Sequence, residues 1–381
     1  MAAKICRPVV RGDHINVIFK LTGSTCNLDC GYCFEKRREY PIHGTIDERL
    51  VTDVLAMLDG NPISVELHGG EPMLLGVAKM KSIVDAILKI KPNCAIRMQT
   101  NATLMSQDWC DFLIERPEVS IGISLDGFGD GNSFRYDNRE EASTEAVLAG
   151  IAQLEANSVD YGLICVATQA NKYQVPEYLD NAANLRHVKT VRFLPCFDTG
   201  ARLSSTVPRT RRTRAAFDAD GKALPWAISF SEFAKIITDA YNHWKSKDYY
   251  EKFLLDPAID YLKKALGGGC ATCHFQAKKC FHTVTIFPDE TFSLCDELDG
   301  GERFSLLAAS GANPVLDVVE GRKRAKDPMA EVLRLQCEAC DIRDVCSGGC
   351  PAIRQRYHAV GQSEEYCSMQ KELFAFFRSE R

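Results

Sequence analysis

The sequence has no run approaching the roughly 18 consecutive apolar residues that a membrane span needs. Its start, Met1 to Arg11, carries basic side chains but no apolar core of signal-peptide length. Neither sign of charge dominates: 46 Lys and Arg face 51 Asp and Glu, a net charge of -5. That balance gives no reason to expect nucleic acid or an anionic membrane as a partner. There is no internal repeat and no low-complexity tract. The 45% hydrophobic and 25% charged fractions are those of an ordinary soluble protein, and a cytoplasmic location is expected. Against these absences stand 17 cysteines in 381 residues. In a reducing compartment so many thiols point to metal binding or catalysis rather than to a disulfide framework.

The first two-thirds alternate short apolar runs with amphipathic stretches. Strands are predicted at Asn16–Leu21, Ser64–His68, Ala95–Thr100, Val119–Leu125, Tyr161–Thr168 and Thr190–Pro195, rich in Val, Ile and Leu. Helices are predicted between them at Asp47–Leu58, Val77–Ile90, Ser106–Glu115, Thr144–Asn157 and Val175–Leu185. This order implies right-handed crossovers and a parallel sheet, an α/β fold in which six units can make a partial barrel. The site then belongs at the carboxyl ends of the strands. Cys26, Cys30 and Cys33 follow the first strand, Gly69-Gly70-Glu71-Pro72 the second, Thr100-Asn101 the third and Asp126-Gly127 the fourth. Beyond Cys196 runs a polar connection with a basic stretch at Arg209, Arg211, Arg212 and Arg214, either a solvated loop or a dock for an acidic peptide. Two helices are expected next, Ser231–Lys247 and Tyr249–Leu266. Gly267-Gly268-Gly269 then marks a boundary to a loop-rich, cysteine-dense remainder. Too few apolar runs remain there for a second large core, so metal is expected to organise it.

Three thiolates from one short loop can ligate three irons of a [4Fe–4S] cube and leave the fourth without a protein ligand. An amine and a carboxylate can then chelate that iron. Zinc usually takes four ligands and fits Cys26, Cys30 and Cys33 less well.

Cys-x3-Cys-x2-Cys, with Tyr32 before the third cysteine, resembles the signature of the radical S-adenosylmethionine (SAM) superfamily. The resemblance runs through the first domain and implies a partial (β/α)6 barrel. Gly69, Gly70, Glu71 and Pro72 resemble the segment that receives the SAM amino group. Gln99, Thr100 and Asn101 resemble the third-strand segment, although Gly is commoner than Ala102 in the next position. Ser124, Asp126 and Gly127 resemble the fourth-strand end, whose polar side chains face SAM, and Arg135 falls where relatives place an arginine for the SAM carboxylate. Each match alone has a plain alternative as a turn or surface residue; their order and strand-end placement carry the case.

The tail, Cys337-x2-Cys340-x5-Cys346-x3-Cys350 with Cys367 beyond, resembles a SPASM domain with two auxiliary [4Fe–4S] clusters. The resemblance implies that Cys280, Cys295 and Cys350, with Cys273 or Cys270, hold the first, Cys273 being nearer the expected offset. Cys337, Cys340, Cys346 and Cys367 would hold the second. Zinc on Cys337, Cys340, Cys346 and Cys350 is the alternative. Glu290-Thr291 departs from the family, which usually has Gly between Cys280 and Cys295. The domain division expected is 1–230 for the barrel, 231–269 for a helical bridge and 270–381 for the SPASM domain.

The cofactors implied are three [4Fe–4S] clusters and SAM, which generate a 5′-deoxyadenosyl radical that removes hydrogen from a substrate carbon. Asp296, after Cys295, matches the Cys-Asp pair of sulfatase-maturing relatives, where the Asp is the base; its alternative is a surface turn acid. The expected substrate is a ribosomally made precursor peptide or a protein. The expected product is a cyclophane-type side-chain crosslink; alternatively a Cys or Ser becomes formylglycine. The short segment before the first strand is expected to leave no room for a leader-binding domain, so docking would use the barrel, the connection around Arg209–Arg214 or a separate leader-binding protein. An external electron donor of flavodoxin or ferredoxin type is also implied. The reading of another class is an iron–sulfur electron carrier or a zinc-stabilised binding protein.

Overall fold

A computed structural model describes residues 9–35, 41–197, 224–270, 272–276, 281–297, 303–307, 313–321, 335–359 and 363–380. The basic stretch Arg209–Arg214 and Cys280 lie outside them.

Six parallel strands form the centre of one sheet: β1 (Ile15–Lys20), β2 (Ile63–His68), β3 (Ala95–Thr100), β4 (Val119–Ser124), β5 (Tyr161–Ala167) and β6 (Val188–Pro195). They lie side by side in chain order, each joined to the next through a helix. The strands alternate because every second side chain faces the helix layer. In β1, Ile15, Val17 and Phe19 are fully buried. The crossover helices keep the predicted limits within two residues, and Val77–Ile90 matches at both ends. The first begins where Asp47 caps it, its carboxylate accepting Leu50 N–H at 2.9 Å.

The stretch 249–266 is not one helix. A 3-10 turn at Tyr249–Glu251 leads into β7 (Leu254–Asp256), which pairs in parallel with β6, and a helix follows only at Ala258–Ala265. Pro257 explains the break, since it lacks the N–H and the φ freedom that a helix interior requires. The helix Phe230–Ser246 starts at a capping box, Ser229 with Glu232.

At the opposite edge, β8 (Thr283–Ile286) pairs in parallel with β1, and β9 (Thr291–Ser293) and β10 (Phe304–Ser305) extend it antiparallel. The sheet therefore has ten strands in the order β10-β9-β8-β1-β2-β3-β4-β5-β6-β7. The last helix, Ser363–Ser379, returns to the other edge. There Phe374 and Phe377 pack on Tyr261 at 5.1 and 5.7 Å between ring centres. Both phenylalanines are fully buried, each contributing roughly 1.5–3 kcal/mol of hydrophobic stabilisation. Both ends of the cysteine-rich segment are thus built into the sheet or its core. No helix among the described residues is long and apolar enough to cross a membrane.

Candidate active site

The loop after β1 carries Cys26, Cys30 and Cys33 and is clamped from two sides. From the β2 side, Gly70 N–H donates to Gly23 O at 2.7 Å and Glu71 N–H to Thr25 O at 3.0 Å. From the β4 side, Asp29 N–H donates to Tyr136 O at 2.7 Å and Gly31 N–H to Phe134 O at 2.8 Å. Gly70 is required at this contact, because a Cβ there would lie 1.9 Å from Thr25 O. Gly69 takes φ 133°, which only glycine adopts readily.

Glu71 is almost fully buried and joins two strand ends. Its carboxylate accepts from Thr100 Oγ1 at 2.6 Å, Asn101 N–H at 2.8 Å and Met73 N–H at 3.0 Å. Burial raises its pKa and the hydrogen bonds oppose that. Asn101 reaches Asn27 Oδ1 at 2.9 Å, and its amide lies 3.8 Å from Cys26 Sγ. Gln99 donates to Ser124 Oγ at 2.8 Å.

Tyr32, the aromatic residue of the cysteine loop, ties that loop to the β4 end. Its hydroxyl donates to Asp126 and accepts from Arg135 Nη1 at 2.7 Å. Asp126 also accepts Val166 N–H at 2.8 Å and lies 3.8 Å from Arg135. Burial raises the Asp126 pKa, and the Arg135 guanidinium opposes the shift. Arg135 Nε is buried with no hydrogen-bond partner among the described residues. The segments that the sequence singled out therefore meet around one loop. Tyr32 and Thr100 serve there as connectors that spacing did not assign.

The donor set fits a metal cluster with SAM. Burial pushes the Cys26 thiol up to about 12 and the Cys30 thiol up to about 11, and Cys33 opposes the ionisation of both. Such thiols become ligands only beside cationic metal. The orphaned Arg135 N–H suits an anionic ligand group such as a carboxylate.

Two further thiol groups form in the C-terminal part. Cys295 neighbours Cys273 and Cys350 closely enough to feel their charge. Cys270 has Asp260 and Lys264 as charged neighbours. Cys367 neighbours Cys337 and Cys340. Among the described residues no three His, Cys, Asp or Glu close tightly enough for a single metal ion. Cys346 is buried, with Gln370 Oε1 at 4.0 Å from its sulfur. Of the remaining cysteines, Cys94, Cys110 and Cys165 are buried in the barrel layers.

Asp296 meets a group that the sequence reading missed. Lys20, the last residue of β1, is fully buried and donates to Asp296 at 2.5 Å, to Glu35 at 2.7 Å and toward His68 Nδ1 at 3.3 Å. His68 Nδ1 also accepts Gly69 N–H at 2.8 Å, which leaves the ring proton of the neutral form on Nε2. Burial alone would lower the Lys20 pKa; the two carboxylates outweigh it and hold the ammonium above its ordinary range. A lysine ending the apolar run Ile15–Phe19 was the one local signal.

A cavity of about 610 Å³ runs along the inner face of the barrel. Gln99, Gly122, Gly162 and Arg192 line it from the strands, and Cys273 and His274 from the cysteine-rich part. Gly122 and Gly162 leave the middle of that face without side chains. Asp296 does not line it.

Residues 21–180 match the family model described as the radical SAM superfamily. The chain is 24% identical to a serine-type anaerobic sulfatase-maturating enzyme of Klebsiella aerogenes, covering 88% of this chain and 80% of that protein. The solved structure of native anSMEcpe with bound AdoMet and Cp18Cys peptide superposes with a TM-score of 0.72 at 19% identity, covering 96% of both chains. Streptococcus suis SuiB bound to precursor peptide SuiA superposes with a TM-score of 0.62 at 13% identity, over 91% of this chain and 74% of that one. At these identities the superpositions show the fold, an α/β barrel with a SPASM-type extension. Residues 21–180 are therefore a radical SAM domain.

Proposed function

We propose that the chain is a radical SAM maturase that oxidises one side chain of a peptide or protein. The single observation that carries this is the barrel cavity, which reaches from Gln99 beside the SAM segments to Cys273 of the cysteine-rich part. One path thus runs from beside the place where a radical would form toward the place where an electron would leave. Its volume accommodates a side chain and its flanking backbone rather than a folded partner.

Cys26, Cys30 and Cys33 would hold a [4Fe–4S] cluster. Together with SAM, that group would supply a 5′-deoxyadenosyl radical for hydrogen abstraction. The chain's own residues orient and shield. Glu71 fixes the β2 and β3 ends against the cysteine loop. Arg135 offers a buried N–H to the SAM carboxylate, and Tyr32 and Asp126 hold the guanidinium in place. Cys273, Cys295 and Cys350 with Cys280 form the first auxiliary site; Cys337, Cys340, Cys346 and Cys367 form the second. Cys273 is taken as the ligand in preference to Cys270 because Cys273 and Cys350 are the thiols that neighbour Cys295. Asp296 takes the substrate proton, and must then exchange its contact with Lys20 for one with substrate.

Two products fit this chemistry: a cyclophane-type carbon crosslink in a ribosomally made peptide, and formylglycine from Cys or Ser. SuiB, a fold neighbour, was solved with its precursor peptide, which suits the first. Sulfatase-maturating relatives spanning most of the chain favour the second. Anaerobically reconstituted protein, SAM and a strong reductant are incubated with either an aromatic-rich peptide or a Cys/Ser sulfatase-type peptide. Hydrazide capture of the product identifies an aldehyde; loss of two hydrogens without capture identifies a crosslink. Protein that cleaves SAM yet alters neither peptide, nor moves deuterium from them into 5′-deoxyadenosine, refutes the peptide-maturase reading.

A further inference from the structure

The helix Pro351–Ala359 carries Arg354, one of the largest fully buried side chains in the described structure. Its Nη1 donates to Cys337 Sγ at 3.2 Å and to Gly348 O at 3.0 Å, and its Nη2 to Gln336 Oε1 at 2.6 Å. Nε is buried without a hydrogen-bond partner among the described residues. No carboxylate among them forms an ion pair with this guanidinium. A buried cation costs several kcal/mol unless an anion answers it. Among the described residues its acceptors are neutral oxygens and one sulfur, and that sulfur is the acceptor able to carry the answering negative charge. Cys367 also feels the Arg354 charge. Lys371 lies near Cys340 and Cys367 but is half exposed and paired with Asp341 at 3.2 Å.

Among the described residues the other thiol group has a carboxylate rather than an arginine beside it. Cys295 and Cys350 neighbour the Glu297 carboxylate. His274 hydrogen-bonds Cys350 but carries no permanent charge. Hydrogen bonds and net charge around ligand sulfurs are the protein's main means of setting a cluster's potential. A permanent cation beside the sulfur stabilises the reduced form, which holds one more negative charge.

We propose that Arg354 is a positioning residue that raises the reduction potential of the centre held by Cys337, Cys340, Cys346 and Cys367, making it the better electron acceptor of the two auxiliary sites. The proposal rests on the reading that both sites hold clusters.

The test uses full-length, anaerobically reconstituted protein carrying Arg354→Gln or Arg354→Lys. Iron content and an EPR-monitored redox titration are the readouts. Arg354→Gln should keep its iron while one centre becomes roughly tenfold harder to reduce at fixed ambient potential, the scale of losing a charge-assisted hydrogen bond. Arg354→Lys keeps the charge and should leave that midpoint near the wild-type value. Full iron with an unshifted midpoint in Arg354→Gln overturns the proposal. Loss of the cluster from both variants also overturns it, in favour of a purely structural arm. Wild-type protein with only about eight irons instead of about twelve refutes the three-cluster reading instead.

Discussion

Replacing Lys20 by Met removes a buried cation from between two carboxylates while keeping most of the side-chain volume. Lys20 Nζ lies 2.7 Å from Glu35 and 2.5 Å from Asp296, whose side chains are 6% and 12% exposed. At an effective dielectric of about 20, a 2.7 Å pair attracts by about 6 kcal/mol, offset largely by the cost of burying the charges. Removing the cation takes away the attraction but leaves the carboxylates buried and mutually repelling. Lys20→Met should therefore cost roughly 3–5 kcal/mol, a large part of the stability of an ordinary domain. Denaturant unfolding of the anaerobic holoprotein measures this. Adding Glu35→Gln and Asp296→Asn to Lys20→Met should recover most of the loss, because the triple variant buries no unpaired charge. The raised Lys20 pKa implies a contribution that is complete below the unfolded-lysine value near 10.4 and fades only as pH rises through the still higher folded value. The loss on mutation should thus be equal at pH 7 and pH 8.5. A Lys20→Met protein as stable as wild type, or a triple variant no better than the single, refutes the reasoning.

Asp296→Ala leaves Lys20 still paired with Glu35, so iron content and SAM cleavage should survive while product formation stops; normal turnover would remove Asp296 from the chemistry. Gly70→Ala drives a methyl into Thr25 O and should abolish SAM cleavage through displacement of the cysteine loop, read as loss of 5′-deoxyadenosine. Glu290→Gly should stabilise by roughly 0.5–1 kcal/mol in denaturant unfolding, because φ 58° strains an L-residue more than glycine's extra chain entropy costs, whereas Ala102→Gly at φ 57° should gain less, because it also removes a fully buried methyl. Burial, followed by the Lys20 charge, lowers the His68 pKa, so the unfolded chain binds the extra proton first as pH falls below about 6.5. Stability should fall through that range in wild type and less steeply in His68→Gln.

The barrel was legible because each of its strands is a local, apolar, β-branched run whose partner is the next such run along the chain. The strand-end motifs were legible for the same reason: a parallel α/β sheet sends every strand-to-helix loop to one end. Ala102 and Glu290, where the sequence departs from the glycine common in its family, both proved to have left-handed backbone, so the departures marked real conformational positions. The misread stretch at 249–266 has helical composition throughout, and only Pro257 with the available β6 edge overrides it. Lys20 escaped because its partner is 276 residues away. No period or spacing encodes a contact that exists only once β8 lies beside β1. Arg354 escaped likewise, since an arginine in a short helix normally reads as solvated surface.

The placement of β8 beside β1 also bears on how the molecule comes into being. β1 leaves the ribosome well before β8, and among the described residues one of its two flanks has no partner strand until residues 283–286 have been made. Throughout that interval the nascent barrel exposes an unprotected hydrogen-bonding edge, the usual template for misassembly between copies. A gene fragment ending at the glycine triplet should accordingly yield insoluble material, whatever metal is supplied.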